Sequence, residues 1–347
     1  DLKLTSRSAK MSKSLGNTVS PEIMIKRFGA DTVRLFILFS ANPEAGMEWS
    51  DSALEANHRQ MHQIFGCLKF LNSINDEIGT MDDWLSAKAR MNFSKWNEAM
   101  NDVRIREGVM ISHFDMLSDL QWAIRRGGIG RNTLLRFMKK WGQMLYPATP
   151  HLAEEWNHTL GENTLLAETV IINDSENNND IVTLAAEKML KNLIDNARNV
   201  KGLAERHTDS PVSKLVIQTS PEWKVQLMLE AIELHAQNFD FMKEGQSFIQ
   251  SHSLFQDDSK RGEVMQYWRM LTIGSKKSRG RVFTLTEGER ILIKSGFDEV
   301  EYIMKASGFI SETIDVHGVA VYAAGTEEDI AGKAKFAIPL QPGLAFL

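Results

Sequence analysis

Apolar residues in the first 160 positions recur at intervals of three and four, which is the period of an amphipathic helix. Ser20-Pro21 is typical of a helix start and Gly29 of a helix end. The spacing predicts a long helix from Ser50 and further helices over residues 21–28, 31–39, 87–105, 109–126, 131–145 and 150–161. The buried face of the long helix is expected to carry Leu54, Met61, Ile64, Phe65, Leu68, Leu71 and Ile78. Long helices with short connections predict an antiparallel bundle.

The pattern changes after a polar, turn-rich stretch at residues 174–180, which is the best linker candidate. Residues 183–205 again have a helical period, and Ser220-Pro221-Glu222 resembles another helix start. Residues 212–219 and 314–323 have the composition and alternation of strands. We therefore predict a mainly α fold, in which a helical bundle precedes a smaller α+β domain.

Length and composition restrict the class of protein. A chain of 347 residues, 43% hydrophobic and 24% charged, is expected to form two or three soluble domains. No apolar run reaches 18 residues, so we predict no membrane span. Cys67 is the only cysteine, which excludes an internal disulfide and a cysteine-rich zinc site and favours a cytoplasmic location. His58 and His62 are four residues apart without an evident third ligand, so we predict no metal site.

The net charge of −5 hides two basic groups. Residues 121–153 contain no Asp or Glu, yet they include Arg125, Arg126, Arg131, Arg136, Lys139 and Lys140. A second group, between Arg269 and Arg281, includes Lys276, Lys277, Arg279 and Arg281. A solvated surface usually mixes both signs of charge, since like charges repel. Basic groups on a mildly acidic protein therefore indicate a local surface for a polyanion.

The stretch AKMSKSLGN, residues 9–17, has the composition of a mobile cationic loop. Two ammonium groups, Lys10 and Lys13, can close on a triphosphate, and neighbouring serine hydroxyls can add hydrogen bonds. When pyrophosphate leaves ATP, negative charge grows on its oxygens, and cations that meet that charge in the transition state lower the barrier. A loop must then reopen for product release, which makes mobility useful.

The same residues carry a family resemblance. Lys10-Met11-Ser12-Lys13-Ser14 matches the KMSKS signature of class I aminoacyl-tRNA synthetases in every letter, and the continuation through residue 38 resembles the subgroup for branched aliphatic amino acids. Glu48-Trp49-Ser50-Asp51, ahead of a long helix, resembles the leucyl-tRNA synthetase family. Residues 134–161 are similar to the end of its anticodon-binding-type domain, and the region after residue 180, ending AIPLQPGLAFL, resembles its archaeal-type C-terminal domain.

The resemblance implies a reaction and roles for the loop residues. Leucine and ATP would give leucyl-adenylate, and the leucyl group would pass to tRNA(Leu). Lys10 and Lys13 would be the catalytic cations, while Met11, Ser12 and Ser14 would complete the ATP-binding loop. A His-x-Gly-His element and an editing pocket are not recognisable in the sequence. The resemblance therefore implies a C-terminal fragment that begins just before the loop and is inactive alone. It would depend on upstream catalytic and editing domains of the same polypeptide. Those domains would hold most of the ATP and its Mg²⁺.

The resemblance also divides the chain. Residues 1–50 would form the end of the catalytic domain, including the loop and a stem-contact segment. Residues 51–172 would form the helical anticodon-binding-type domain, and residues 183–347 would form a tRNA-binding α+β domain. Leucine tRNAs carry a long variable arm, which the resemblance assigns to the last domain. Pro339 and Pro342 would hold the chain's end extended for RNA contact. The predicted tRNA contacts are Arg125, Arg126, Arg131, Arg136, Lys139, Lys140, Lys276, Lys277, Arg279, Arg281, Phe346 and Leu347.

Two other interpretations stay open. Isoleucyl and valyl enzymes share the loop, although they usually add cysteine-rich or coiled-coil C-terminal pieces, and neither is seen in this sequence. A free-standing RNA-binding module with an inactive loop would have the same basic groups.

Overall fold

The computed structural model describes residues 10–42, 44–169, 177, 179–208, 212–275, 278–323 and 332–347. The chain forms two compact units, Asp1–Asn177 and Asn178–Leu347. Among the residues described, none of the helices is both long enough and apolar enough to cross a membrane.

Unit 1 is helical in the part that the structure describes, as the periodicity predicts. A π-helical turn, Ile111–Asp115, joins two of its helices, so that residues 105–126 form one continuous helical stretch. The helices are α1 (Pro21–Phe28), α2 (Ala30–Ser40), α3 (Asp51–Gly66), α4 (Phe70–Ser73), α5 (Asp82–Asn101), α6 (Ile105–Met110), α7 (Met116–Arg126), α8 (Arg131–Leu145) and α9 (Pro150–Thr159).

The long helix predicted from Ser50 ends earlier than its apolar spacing indicates. α3 stops at Gly66, and the tighter 3-10 turn Cys67–Lys69 follows it. That turn breaks the 3.6-residue period, so residues beyond it no longer continue the face of α3. Leu54, Ile64 and Leu68 are buried as expected, but Phe65 is 37% exposed and Ile78, in the connection to α5, is 90% exposed.

Two of the buried tryptophans in the core of unit 1, Trp141 on α8 and Trp156 on α9, are completely inaccessible to solvent. Their ring centres lie 5.0 Å apart in an edge-to-face arrangement. Each indole N–H donates to a backbone carbonyl, Trp141 to Ser112 at 2.6 Å and Trp156 to Met138 at 2.9 Å. A Cβ at Gly142 would come within 3.1 Å of the Trp156 ring, so glycine allows the close approach. These rings are core residues and do not form an exposed surface for stacking on bases.

Unit 2 combines helices with a small sheet, which confirms the α+β prediction. The strands are β1 (Lys214–Gln218), β2 (Gly274–Ser275), β3 (Ser278–Arg279), β4 (Gly318–Tyr322) and β5 (Gly343–Phe346). The helices are α10 (Asp180–Thr208), α11 (Glu222–Ala236), α12 (Gly245–Ser251), α13 (Ser253–Gln256), α14 (Arg261–Thr272), α15 (Arg281–Thr284), α16 (Glu287–Lys294), α17 (Glu299–Lys305) and α18 (Ser307–Ile314).

The three-stranded sheet has the order β4-β1-β5, with buried β1 in the centre. β4 runs parallel to β1, with Val216 opposite Ala320, so the intervening helices form the crossover that a parallel pair requires. β5 runs antiparallel to β1, with Val216 opposite Ala345. The C-terminal strand is therefore an integral part of the sheet.

Candidate functional site

Residues 10–17 form an exposed loop that one side chain closes. The Ser12 N–H donates to Asn17 Oδ1 at 2.7 Å, and Asn17 Nδ2 donates to the Lys10 carbonyl at 3.2 Å. The Ser12 and Ser14 hydroxyls are hydrogen-bonded at 2.6 Å. The Asn17 amide thus ties the two ends of the loop together around Lys13.

The backbone of this loop turns sharply after Ser12. Lys13–Leu15 is a 3-10 turn, and the Gly16 N–H donates to the Lys13 carbonyl at 3.2 Å. Gly16 has a φ of 63°, a left-handed conformation that glycine adopts without strain. The turn leaves Lys10 and Lys13 exposed to solvent. Two cations on a braced but solvent-facing loop can approach a polyphosphate as it develops charge.

Asn17 is a residue of this loop that reasoning from charge missed. The lysines and serines can contact phosphate, whereas the Asn17 amide bonds to the backbone of the loop. The only signal in the sequence is its place directly after Gly16.

The segment after the loop is fixed to the helical bundle by two charged side chains of α2. Asp31 is 5% exposed, and its carboxylate accepts from the Leu152 N–H at 2.8 Å and from His151 Nδ1 at 2.9 Å. Arg34 donates to the carbonyls of Pro147 and Ala148, at 2.9 and 3.1 Å. These bonds bind α2 to the corner between α8 and α9.

The stretch Glu48-Trp49-Ser50-Asp51 forms the start of α3. Ser50 is the N-cap, and its hydroxyl accepts from the Ala53 N–H at 3.2 Å. The Trp49 indole donates to the Asp51 carboxylate at 2.6 Å, and its ring packs edge-on against Phe36 of α2 at 4.9 Å. The tryptophan therefore positions α3 against α2.

The basic residues of α7 and α8 do not share one narrow face. At 100° per residue, Arg131 and Lys140 lie about 180° apart, so the cations occupy most of the exposed half of α8. Arg131 donates to the Leu71 carbonyl at 2.6 Å, and the Lys140 ammonium lies 4.3 Å from the centre of the Phe93 ring. Arg125 is exposed and Arg126 half-buried at the end of α7.

Acidic residues from other segments enter this basic region. Lys139 pairs with Glu162 at 2.5 Å. Arg136 lines a cleft of about 510 Å³ together with Asp76, Glu77, Asp82 and Asp83. The absence of Asp and Glu between residues 121 and 153 is therefore a property of the sequence and does not extend to the surrounding surface. Arg125 is exposed, and its Nε donates to the Gln121 carbonyl of the same helix at 3.4 Å.

The second basic group is only partly described. Lys276 and Lys277 lie outside the described residues, between β2 and β3. Arg279 is exposed at the end of β3. Arg281, a predicted tRNA contact, has a side chain that is 15% exposed and pairs with Glu289 at 2.8 Å. That pair links α15 to α16, so the guanidinium is committed to the fold.

The tail is also more ordered than the prediction of a presented end. The Leu347 N–H donates to the Lys214 carbonyl at 2.9 Å, and the Leu347 carbonyl accepts from Ser213 at 2.8 Å. Phe346 lies opposite Leu215 in the sheet and is half-buried, while the Leu347 side chain is 50% exposed.

The histidine pair on α3 forms a short chain of ring contacts. His62 Nε2 lies 3.1 Å from His58 Nε2, and His58 Nδ1 lies 3.1 Å from the Thr32 hydroxyl. Within the described ranges, no cluster of three or more His, Cys, Asp or Glu side chains is arranged to hold a metal.

Comparisons with known proteins match both parts of the chain. Residues 2–50 match the family of class I tRNA synthetases (I, L, M and V), and residues 82–216 match the anticodon-binding domain of tRNA ligases. Leucine–tRNA ligases of Methanosarcina acetivorans and Methanococcus maripaludis strain C7 are 24% and 25% identical over 96% and 98% of this chain. The leucine–tRNA ligase of Methanococcoides burtonii is 26% identical over 96%.

The chain spans about a third of the length of these relatives, 34%, 33% and 34% respectively. A solved structure, the ternary complex of Agrobacterium radiobacter K84 agnB2 LeuRS with tRNA and LeuAMS, is 25% identical over 46% of this chain and 22% of its own, with a TM-score of 0.39.

Proposed function

We propose that this chain belongs to the leucine–tRNA ligase family of class I aminoacyl-tRNA synthetases and supplies the phosphate-handling loop and the tRNA-binding parts of such a ligase. The complete enzyme joins leucine to ATP, releases pyrophosphate, and transfers the leucyl group to tRNA(Leu). The observation that carries the proposal is the exposed, Asn17-braced loop with Lys10 and Lys13, in a chain matched to leucine–tRNA ligases over nearly all its length.

In this proposal Lys13 contacts the triphosphate and Lys10 adds a second positive charge, while the Ser12 and Ser14 hydroxyls hold the shape of the loop. ATP arrives with Mg²⁺, which supplies further charge neutralisation. Most of the nucleotide and leucine pocket, together with the editing site, belongs to domains upstream of residue 1. The reaction takes place in the cytoplasm, where tRNA and ATP meet.

Leucine-dependent pyrophosphate exchange tests this proposal. A polypeptide that joins the upstream catalytic and editing domains to this chain is expected to exchange pyrophosphate into ATP with leucine and to leucylate tRNA(Leu). Exchange that responds to isoleucine or valine instead would favour the other branched-aliphatic ligases. Absence of exchange, with RNA binding retained, would favour a free-standing RNA-binding module.

Arg125 provides a sharp test of phosphate contact by unit 1. The Arg125→Ala substitution is expected to weaken tRNA binding and to reduce the slope of log affinity against log salt by about 0.7–0.9, since one phosphate contact releases about that many counterions. Arg104→Ala is the matched control, because Arg104 is ion-paired with Glu98, Asp102 and Glu107. A salt titration by fluorescence anisotropy measures both. An unchanged slope in Arg125→Ala would contradict the contact.

A further inference from the structure

The C-terminal segment before β5 exposes an aromatic ring with two lysine ammonium groups over it. Phe336 ends a 3-10 turn, Ala334–Phe336, and its side chain is 64% exposed. The Lys335 ammonium lies 5.0 Å from the ring centre and the Lys333 ammonium 5.7 Å. We call these three residues, Lys333, Lys335 and Phe336, the Phe336 platform.

The backbone on both sides of Phe336 is held by a buried cation. Lys224 of α11 is 4% exposed, and its ammonium donates to the carbonyls of Lys335 at 2.7 Å and Ala337 at 2.8 Å. The rings of Trp223 and Tyr267 lie 5.5 Å from the same ammonium. Burial lowers the pKa of Lys224, which reflects the free energy cost of removing this charge from water. The two hydrogen bonds from Lys224 offset that cost and fix the backbone of residues 335–337, so the Phe336 ring faces solvent.

Two more contacts hold the same segment against the unit. The Leu340 N–H donates to the Glu299 carboxylate at 2.6 Å. A Cβ at Gly343 of β5 would lie only 2.5 Å from the Lys333 carbonyl oxygen, so a larger residue would collide with the backbone there. The backbone that carries Lys333 can therefore lie directly on the strand. The Phe336 platform is a preorganised surface, and binding there would not require the segment to fold first.

The chemistry of the platform selects its ligand. An exposed aromatic ring offers a face for stacking, and two ammonium groups beside it attract an anion. A nucleotide combines a planar base with an anionic phosphate, and unpaired bases in RNA are bound in this way by aromatic and basic side chains. We propose that Phe336 stacks on an unpaired base of the bound tRNA while Lys333 and Lys335 contact the neighbouring phosphates. This inference rests on the proposed function, because it takes RNA as the partner.

Substitution of the ring tests the inference. Phe336→Leu is expected to weaken binding of tRNA, and of a fluorescein-labelled single-stranded RNA hexamer, by about tenfold or more, because it removes stacking and keeps apolar bulk. Phe336→Trp is expected to restore wild-type affinity. Lys335→Ala is expected to lower the log–log salt slope for the hexamer by about 0.7. Phe283→Leu is the matched control, since Phe283 is 42% exposed in the same unit and packs on Phe241.

The outcomes separate the two levels of the account. If the wild-type chain binds neither RNA, the proposed function fails and the platform with it. If the wild type binds and Phe336→Leu binds equally well, the proposed function stands and the platform is overturned. If polyglutamate displaces the hexamer as effectively as unlabelled RNA does, the surface binds negative charge without stacking on bases, and the platform is overturned. Loss in Phe336→Leu with recovery in Phe336→Trp supports the platform, since a structural defect would not be rescued by a larger ring.

Discussion

The Lys13→Ala substitution, made in a polypeptide that joins the upstream domains to this chain, is expected to lower the turnover number of leucine-dependent pyrophosphate exchange by about 10²–10³-fold. The size follows from removing one charge-stabilising group from a transition state that develops negative charge. The leucine dissociation constant should change little, because the lysine acts on phosphate.

Lys26→Ala is the control for Lys13, since Lys26 is an exposed lysine on α1 outside the loop. Its turnover number should match that of the wild type. A Lys13→Ala enzyme with an unchanged turnover number would remove the catalytic role from the loop, even if tRNA binding remained normal.

Acidification is expected to destabilise unit 1 through His113. This side chain is fully buried in the π-helical turn, with Nδ1 2.8 Å from the Ser112 hydroxyl and Nε2 3.0 Å from the Thr149 hydroxyl. Burial lowers the pKa of His113 from 6.5 to about 3. The unfolded chain therefore takes up the proton first as pH falls below 6.5, and the free energy of unfolding falls with it until about pH 3. The total loss is on the order of 4 kcal/mol.

The His113→Gln variant isolates this effect from the other acid-titrating groups. It is expected to be less stable than the wild type at pH 7, because it disturbs the packed turn, but its stability should fall less between pH 6.5 and pH 4. Hydrogen exchange of the α8 amides in urea measures unit 1 separately from unit 2. Equal pH slopes in the two proteins would contradict a neutral buried imidazole.

The helices of unit 1 could be predicted from the sequence because their cores follow the 3.6-residue period. The helix predicted over 131–145 coincides with α8, and Gly29 separates α1 from α2 as expected. The end of α3 could not be predicted from the apolar spacing, since a 3-10 turn changes the phase without changing composition.

Contacts between segments that are distant along the chain could not be predicted from the sequence. Glu162 and the acidic residues at 76–83 lie next to Lys139 and Arg136, although neither pairing is visible along the chain. The pairing of the C-terminal residues with β1 was hidden for the same reason, because Leu347 and Lys214 are far apart in sequence. The role of Phe336 could not be predicted, because two lysines and a phenylalanine in a short segment form an ordinary pattern. Its meaning depends on Lys224, which only the fold brings to residues 335 and 337.

The central claim, that this chain recognises tRNA(Leu), is tested most directly by its affinity for that tRNA with and without the long variable arm. Anisotropy at one fixed salt concentration should show intact tRNA(Leu) binding at least tenfold more tightly than the same tRNA with a shortened arm, because the resemblance assigns the arm to the domain that unit 2 forms, and its contacts would be lost. Equal affinity for the two RNAs, or the absence of binding to either, would contradict the account.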